Sequence, residues 1–269
     1  MLALTGLSTT RMSTRASRLR NLRWLDAGRR CAAVTGRFVD LFDLYQRRTK
    51  DASTVALAVV PLVLVYGLGL LHASPGARAG VDVVSDQLLA RFPVVTYVGI
   101  QLAIAVLLVV FALFKRATGV GAHVRWAAPS VFEAVLWGLG LGAIVLFVMD
   151  RTALLGPITI PSELIDRIVL STGAGLHEEL VFRLLMIPLL AHGLAKALGI
   201  ARPAALAGAA FLSSLAFSAA HHLAGEPFDV FVFTFRSVAG LVFAALFLWR
   251  GFAVSAWAHA AYDFHALRF

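Results

Sequence analysis

The sequence has few charges and almost no cysteine. Only 14% of its 269 residues are charged, against about 25% in an average soluble domain, while 59% are hydrophobic and the mean hydropathy is +0.83. The one cysteine, Cys31, excludes an internal disulfide framework and a cysteine-based zinc cluster. The shortage of charge therefore predicts a polytopic membrane protein whose main partner is the lipid bilayer.

Several familiar catalytic and ligand-binding patterns are also absent. The sequence has no G-x-S-x-G nucleophile elbow, no glycine-rich phosphate loop and no interleaving of basic and aromatic residues. His177-Glu178 begins like an H-E-x-x-H zinc helix, but Val181 occupies the position of the second histidine. These absences exclude the corresponding enzyme classes and predict that the protein has no nucleic-acid partner.

Basic residues are concentrated at the N-terminus. Residues 1–50 carry 11 of the 24 Lys and Arg residues and three acidic ones, within a chain of net charge +9. They contain no apolar stretch long enough to cross a membrane, and no signal-peptide pattern. We expect a basic cytoplasmic tail at residues 1–50, with attraction to anionic lipid as an alternative role, followed by a transmembrane domain at 51–269.

Six apolar stretches have about the length that crosses a bilayer, which is about 20 residues, and a shorter seventh follows them. The connectors between them alternate between basic and mixed or acidic charge, which predicts an N-terminus in the cytoplasm. Short connectors and an Arg/Ala-rich composition favour a bacterial plasma membrane. The predicted fold is all-α, a transmembrane bundle of about seven helices: Thr54–Leu71, Phe92–Phe114, Val131–Met149, Ile168–Leu190, Pro203–His222, Phe228–Trp249 and Gly251–Phe264.

The predicted fourth span contains three charged residues, Glu178, Glu179 and Arg183. A charge at the centre of a membrane helix costs about 2.5–3.5 kcal/mol on insertion scales, so such a cluster indicates function. Glu179 and Arg183 are spaced i,i+4 and can pair on one helix face. Glu178 lies about 100° around the helix, which leaves its carboxylate available as a general base.

Two later spans add histidines at helical spacing. Phe217-x-x-x-His221 closes the predicted fifth span, and His259-x-x-x-Asp263 lies in the seventh. Asp263 can hold the imidazole of His259 in one orientation. One histidine in a membrane helix is usually a packing partner, but two of them together with a Glu-Glu-Arg cluster predict a catalytic site.

These three motifs, in this order and each on an apolar segment, resemble the CPBP family. That family comprises the CAAX prenyl endopeptidases of the Ras-converting type and the bacterial Abi or bacteriocin-processing intramembrane proteases. The resemblance covers about residues 130–266, the expected protease core. It implies an all-helical membrane endopeptidase with a polar cavity that opens into the bilayer.

The resemblance also implies a role for each motif residue. The expected roles are water activation by Glu178, water binding by His221, support of the site by Glu179 and Arg183, and oxyanion stabilisation by His259 and Asp263. The family commonly has Asn where this chain has Asp263. Because an ionised carboxylate is a poor oxyanion donor, Asp263 is expected either to orient His259 or to be protonated.

Cofactor use is open at this point. Glu178, His221 and His259 can form a two-histidine, one-carboxylate zinc site with a position for water. In the alternative, which the resemblance favours, Glu178 deprotonates water directly and no cofactor is required.

Other functions are also compatible with the sequence. The chain could be a non-proteolytic immunity or scaffold protein, or a proton-coupled transporter in which Glu178, His221 and His259 form a relay. A relay predicts polar residues along a path and inverted repeats, whereas the polar residues here cluster late in the chain. We therefore expect an endopeptidase that cleaves a membrane-anchored protein or peptide.

Overall fold

The computed structural model describes residues 39–75, 77, 91–114, 120–151, 163–223 and 227–267. The chain divides into two units, Met1–Arg47 and Arg48–Phe269. In the first unit, residues 39–47 are helical. The described residues of the second unit form eight α-helices and one π-helix and include no strand. The predicted all-α fold is confirmed.

The helices follow one another along the chain with short turns where the connectors are described. They are α1 (Ala52–Gly69), α2 (Val94–Phe114), α3 (Val120–Arg151), α4 (Leu164–Glu178), the π-helix (Glu179–Met186), α5 (Ile187–Leu198), α6 (Arg202–Leu223), α7 (Val230–Arg250) and α8 (Phe252–Ala266). The predicted tail at residues 1–50 falls largely outside the described residues, and its cytoplasmic location stays a prediction.

Five segments are long and apolar enough to cross a membrane: α1, α2, the continuous stretch Leu164–Leu198, α6 and α7. They correspond to five of the seven predicted spans. The predicted span Val131–Met149 is part of α3, and Gly251–Phe264 corresponds to α8; neither is among the five. The 15 residues of α8 reach only about 22 Å at 1.5 Å per residue, short of a hydrocarbon core of about 30 Å. The predicted count of about seven is not confirmed.

Close backbone contacts position α8 between α3 and α4. A Cβ atom built on Gly138 of α3 would lie 2.3 Å from the carbonyl oxygen of Ala258, and one on Gly175 of α4 would lie 2.6 Å from that of Ala256. Lipid tails are as apolar as leucine, so membrane helices gain stability from close packing at small residues. Gly251 (φ +90°) alone joins α7 to α8, in a conformation that glycine adopts readily.

Contacts between helix termini define two ends of the bundle. At one, which we call the Arg250 end, Arg250 of α7 donates to Thr49 Oγ1 at 3.2 Å, and His123 of α3 lies 3.4 Å from Asp51. Asp51 also caps α1. Lys50 lies here too, and partial burial and the charge of Arg250 hold its pKa below the ordinary value.

We call the opposite end of the bundle the Asp166 end. There the C-terminal end of α1 lies beside the first turn of α4, which in turn contacts the last turn of α8. The amide of Ser74 donates to Asp166 at 2.8 Å, and Arg167 donates to the carbonyl of Phe264 at 3.1 Å. The arginine also lies over the Phe264 ring, 4.8 Å from its centroid. The two ends fix the direction of each helix, which bears on access to the site below.

Candidate active site

The helix that carries Glu178 changes its winding at that residue. The sequence predicts a regular helix here, but the structure winds Glu179–Met186 as a π-helix before α5 resumes. Pro188 in the first turn of α5 has no amide hydrogen and crowds the carbonyl four residues earlier, which disfavours a regular α-helix at this point. Single π turns are frequent at functional sites, and this one lies where the two glutamates meet.

Glu179 is the buried centre of the site. Its Oε1 lies 3.1 Å from Arg183 Nη1 and accepts a hydrogen bond from His259 Nδ1 at 2.9 Å. Its Oε2 accepts one from the hydroxyl of Ser255. Glu179 and Arg183 are both fully buried, so the pair that their spacing predicts is present, and the charge on each compensates that on the other.

Arg183 is enclosed by aromatic rings and a backbone carbonyl. Its guanidinium lies 4.5 Å from the ring centroid of Phe217 and 5.9 Å from that of Phe243. It donates to the carbonyl oxygen of Gly240 at 3.3 Å. Cation–π contacts of this kind stabilise a desolvated guanidinium. The π-helix is thereby joined to α6 and α7.

Glu178 faces the two histidines that the motifs predict. One carboxylate oxygen lies 3.7 Å from Nε2 of His221, and the other lies 3.6 Å from Nε2 of His259. Polar atoms separated by slightly more than hydrogen-bond distance are commonly bridged by water. The structure therefore brings together three groups that could share one water molecule.

The orientation of each imidazole is set by its other ring nitrogen. In His221, Nδ1 donates to the carbonyl oxygen of Phe217 at 2.9 Å, one helical turn earlier. In His259, Nδ1 donates to Glu179, and the ring stacks on Phe243 at 4.4 Å between centroids. Both Nε2 atoms are thus directed at Glu178.

Asp263 lies on the remaining side of His259. Its Oδ2 is 3.4 Å from His259 Nε2, so the predicted i,i+4 pair is present. The carboxylate nearest to this imidazole, however, is Glu179, which the spacing of motifs on separate helices did not predict. The charges of His259 and Arg236 both act on Asp263.

Two residues of the site, Ser255 and Phe243, were not predicted from the sequence. Ser255 lies one turn before His259 on α8, so the same i,i+4 spacing carried the signal that it shares a face with the histidine. Phe243 had no such signal, because an aromatic residue in an apolar span is usually a packing residue. It contacts both His259 and Tyr262.

A second polar cluster surrounds His177, the residue that precedes Glu178 in α4. His177 Nδ1 donates to the carbonyl of Gly173 at 2.9 Å, so its Nε2 is the atom that accepts from Tyr97, 3.4 Å away. Tyr66 in turn donates to the Tyr97 hydroxyl, also at 3.4 Å. All three side chains are buried. The sequence interpretation treats His177 as a bystander, whereas the structure makes it a link between α1, α2 and α4.

The donors expected for zinc are the right kinds of atoms, two imidazole nitrogens and a carboxylate. Among the residues that the structure describes, however, no group of three His, Cys, Asp or Glu side chains is arranged to hold a metal ion. The zinc alternative therefore stays a prediction.

The helices that carry these buried glutamates, histidines and the arginine include segments long and apolar enough to cross a membrane, in keeping with an integral membrane protein. Residues 160–265 match the family model described as "Type II CAAX prenyl endopeptidase Rce1-like". No curated protein and no solved structure matches the chain. The matched segment contains the six motif residues and confirms the family resemblance, consistent with a CPBP/CAAX-family intramembrane protease.

Proposed function

We propose that this protein is an intramembrane endopeptidase in which Glu178 activates the attacking water. The observation that carries the proposal is that the two neighbouring carboxylates, Glu178 and Glu179, have different surroundings. Glu179 is occupied by Arg183, Ser255 and His259, while Glu178 faces the Nε2 atoms of two histidines. The match to the Rce1-like family model supports the endopeptidase class.

In the proposed reaction, a water molecule binds between Glu178 and His221. Glu178 takes a proton from this water as the oxygen attacks the carbonyl carbon of the scissile peptide bond. The resulting tetrahedral intermediate collapses when the C–N bond breaks, and the proton held by Glu178 passes to the leaving amine. Burial of Glu178, whose side chain is 12% exposed, limits the competing solvation of the carboxylate by bulk water.

His259 is proposed to stabilise the oxyanion. Its Nδ1–H donates to Glu179, so Nε2 can also donate to the developing negative charge when the ring carries a second proton. The carboxylates of Glu178, Glu179 and Asp263 around the ring favour that imidazolium form. A preorganised donor in a site that excludes water is worth about 2.7–4 kcal/mol of barrier in comparable hydrolases. Asp263, 3.4 Å from the same Nε2, positions that nitrogen or, when protonated, donates alongside it.

Glu179 and Arg183 are proposed as supporting residues that do not touch the substrate. Their ion pair holds the π-helix in place, and Glu179 fixes the orientation of His259 through its Nδ1–H. A supporting partner of this kind typically changes activity by 10–100-fold in analogous sites.

Cleavage by the purified protein in matched proteoliposomes tests the proposal. Two reporters are suitable, a farnesylated peptide ending in a CAAX motif and an unprenylated single-span peptide. We expect Glu178→Gln and His221→Ala to lose at least 100-fold in kcat while inserting normally. The matched control is Glu163→Gln, an exposed carboxylate just before α4, which should cleave like the wild type.

Cleavage by Glu178→Gln at the wild-type rate would remove Glu178 from the mechanism. A chelator followed by added zinc addresses the cofactor question in the same assay. Activity that persists through chelation supports direct deprotonation by Glu178, and activity that is lost and then restored by zinc supports the metal alternative.

A further inference from the structure

The exposure of the site residues rises in one direction along the bundle. On α8, Ser255 is fully buried, the His259 side chain is 3% exposed and that of Asp263 is 23% exposed. On α6, Ser213 and Phe217 are buried and His221 is 25% exposed. Both helices run toward the Asp166 end, so the site opens toward that end.

The position of His221 within α6 also indicates that the site opens toward the Asp166 end. The helix begins at Arg202 and ends at Leu223, so His221 lies in its last turn, about 28 Å from the start at 1.5 Å per residue. The end of α6 adjoins the start of α7, where Ser218 donates to the carbonyl of Phe233 at 2.8 Å. His221 is therefore close to the surface at the Asp166 end, while His259 lies midway along α8.

Basic residues are distributed unequally between the two ends. Arg48 and Lys50 immediately precede α1 at the Arg250 end, and residues 1–50 of the sequence carry 11 Lys and Arg residues. The connectors between α2 and α3 and between α5 and α6 meet the same end, and they and the adjoining helix termini add Lys115, Arg116, Arg125, Lys196 and Arg202 without any acidic residue. The segments that link helix termini at the Asp166 end are 70–93, 150–163 and 224–229. In the sequence they carry only three Lys or Arg residues, which are Arg78, Arg91 and Arg151.

This asymmetry orients the bundle in the membrane. Short loops rich in Lys and Arg stay in the cytoplasm, so the Arg250 end is cytoplasmic and the Asp166 end is not. We infer that the active site opens on the extracytoplasmic side and takes a peptide segment displayed at the outer leaflet. The inference rests on the proposed function for its substrate, and on charge and geometry alone for its direction.

The direction of opening narrows the substrate class. A protein that is prenylated and held on the cytoplasmic leaflet would meet the Arg250 end, far from His221 and Asp263. A translocated peptide, or the extracytoplasmic end of a membrane-anchored protein, would meet the open side. The chemistry is still peptide-bond hydrolysis by Glu178, but the substrate reaches it after export.

Labelling of single cysteines tests the direction without requiring any catalytic activity. Cys31 is first replaced by Ser. Cysteines are then placed at exposed positions, Leu223 and Phe228 at the Asp166 end and Leu198 and Ile200 at the Arg250 end. Intact cells of a bacterial expression host are treated with a charged maleimide that does not cross membranes.

We expect Leu223→Cys and Phe228→Cys to react in intact cells, and Leu198→Cys and Ile200→Cys to react only after lysis. The reverse pattern would overturn the inference. Two positions at each end guard against a variant that fails to insert. The same pattern in a Glu178→Gln background separates this result from the proposed function, because labelling can succeed where cleavage fails.

Discussion

Glu179 accepts a hydrogen bond from His259 Nδ1 at 2.9 Å, across two helices that lie 80 residues apart in the chain. The same carboxylate is the counter-charge of Arg183. One buried residue therefore fixes both the orientation of the proposed oxyanion donor and the electrical neutrality of the π-helix. Under the proposed mechanism, Glu179 serves both stability and activity, whereas Glu178 serves mainly activity.

Glu179→Gln should accordingly destabilise the protein as well as lower its activity. The amide can still accept from His259, but Arg183 then lacks its counter-charge, and breaking a buried pair costs about 3–5 kcal/mol. Thermal unfolding in detergent should show a clear fall in Tm for Glu179→Gln and almost none for Glu178→Gln. Equal Tm values for both variants would contradict this division between the two glutamates.

The sequence predicts the parts of this site that lie on one helix. The i,i+4 pairs Glu179–Arg183 and His259–Asp263 follow from helix periodicity, and both are present. Five apolar stretches are also recovered as helices with ends within a few residues of those predicted, apart from the longer fourth helix, because the length of a membrane span is set by the thickness of the bilayer.

The rest depends on how the helices pack. That Ser255 and His259 both meet Glu179 follows from the placement of α8 against α4, which no local pattern encodes. The π-helix at Glu179–Met186 depends on neighbours that compensate the disturbed backbone bonding around Pro188. The inferred direction in which the site opens likewise depends on both the charges of the connectors and the positions of the helix ends.

Gly175→Ala should disturb the site without altering any catalytic group. The added Cβ would lie 2.6 Å from the carbonyl oxygen of Ala256 and 2.7 Å from the amide of Ala260, so α4 and α8 must separate. Overpacking costs about 1–3 kcal/mol, and a shift of about 1 Å in a catalytic group can cost 100-fold in rate. We expect kcat to fall at least tenfold.

Gly193→Ala is the matched control for that variant, because nothing lies within 4 Å of a Cβ atom at this helical position. It should leave kcat unchanged and, since alanine favours helix by about 1 kcal/mol, should leave Tm unchanged or slightly raised. Similar losses for the two variants would show that the close approach at Gly175 does not position the site.

Substitutions along the Tyr66–Tyr97–His177 chain should have graded effects. Tyr97→Phe removes two hydrogen bonds, the one donated to His177 and the one accepted from Tyr66, at about 0.5–1.5 kcal/mol each. Tyr66→Phe removes only the terminal donor. Unfolding in detergent should therefore place Tyr97→Phe below Tyr66→Phe, and both below the wild type; a reversed order would contradict the direction of the chain.

Asp263→Asn tests the one motif position where this chain departs from the family pattern that it resembles. The amide is close in shape to the carboxyl group and can donate a hydrogen bond, so the proposed oxyanion site would gain a permanent donor beside His259. The charge that Asp263 presents to His259 and Arg236 would be lost.

If oxyanion stabilisation dominates, kcat of Asp263→Asn should equal or exceed that of the wild type, whereas Asp263→Ala, which offers no donor, should lose about 10–100-fold. Measured kcat and KM for the two variants in the same proteoliposomes decide the point. Equal losses for Asn and Ala would mean that the carboxylate acts through its charge, by orienting His259.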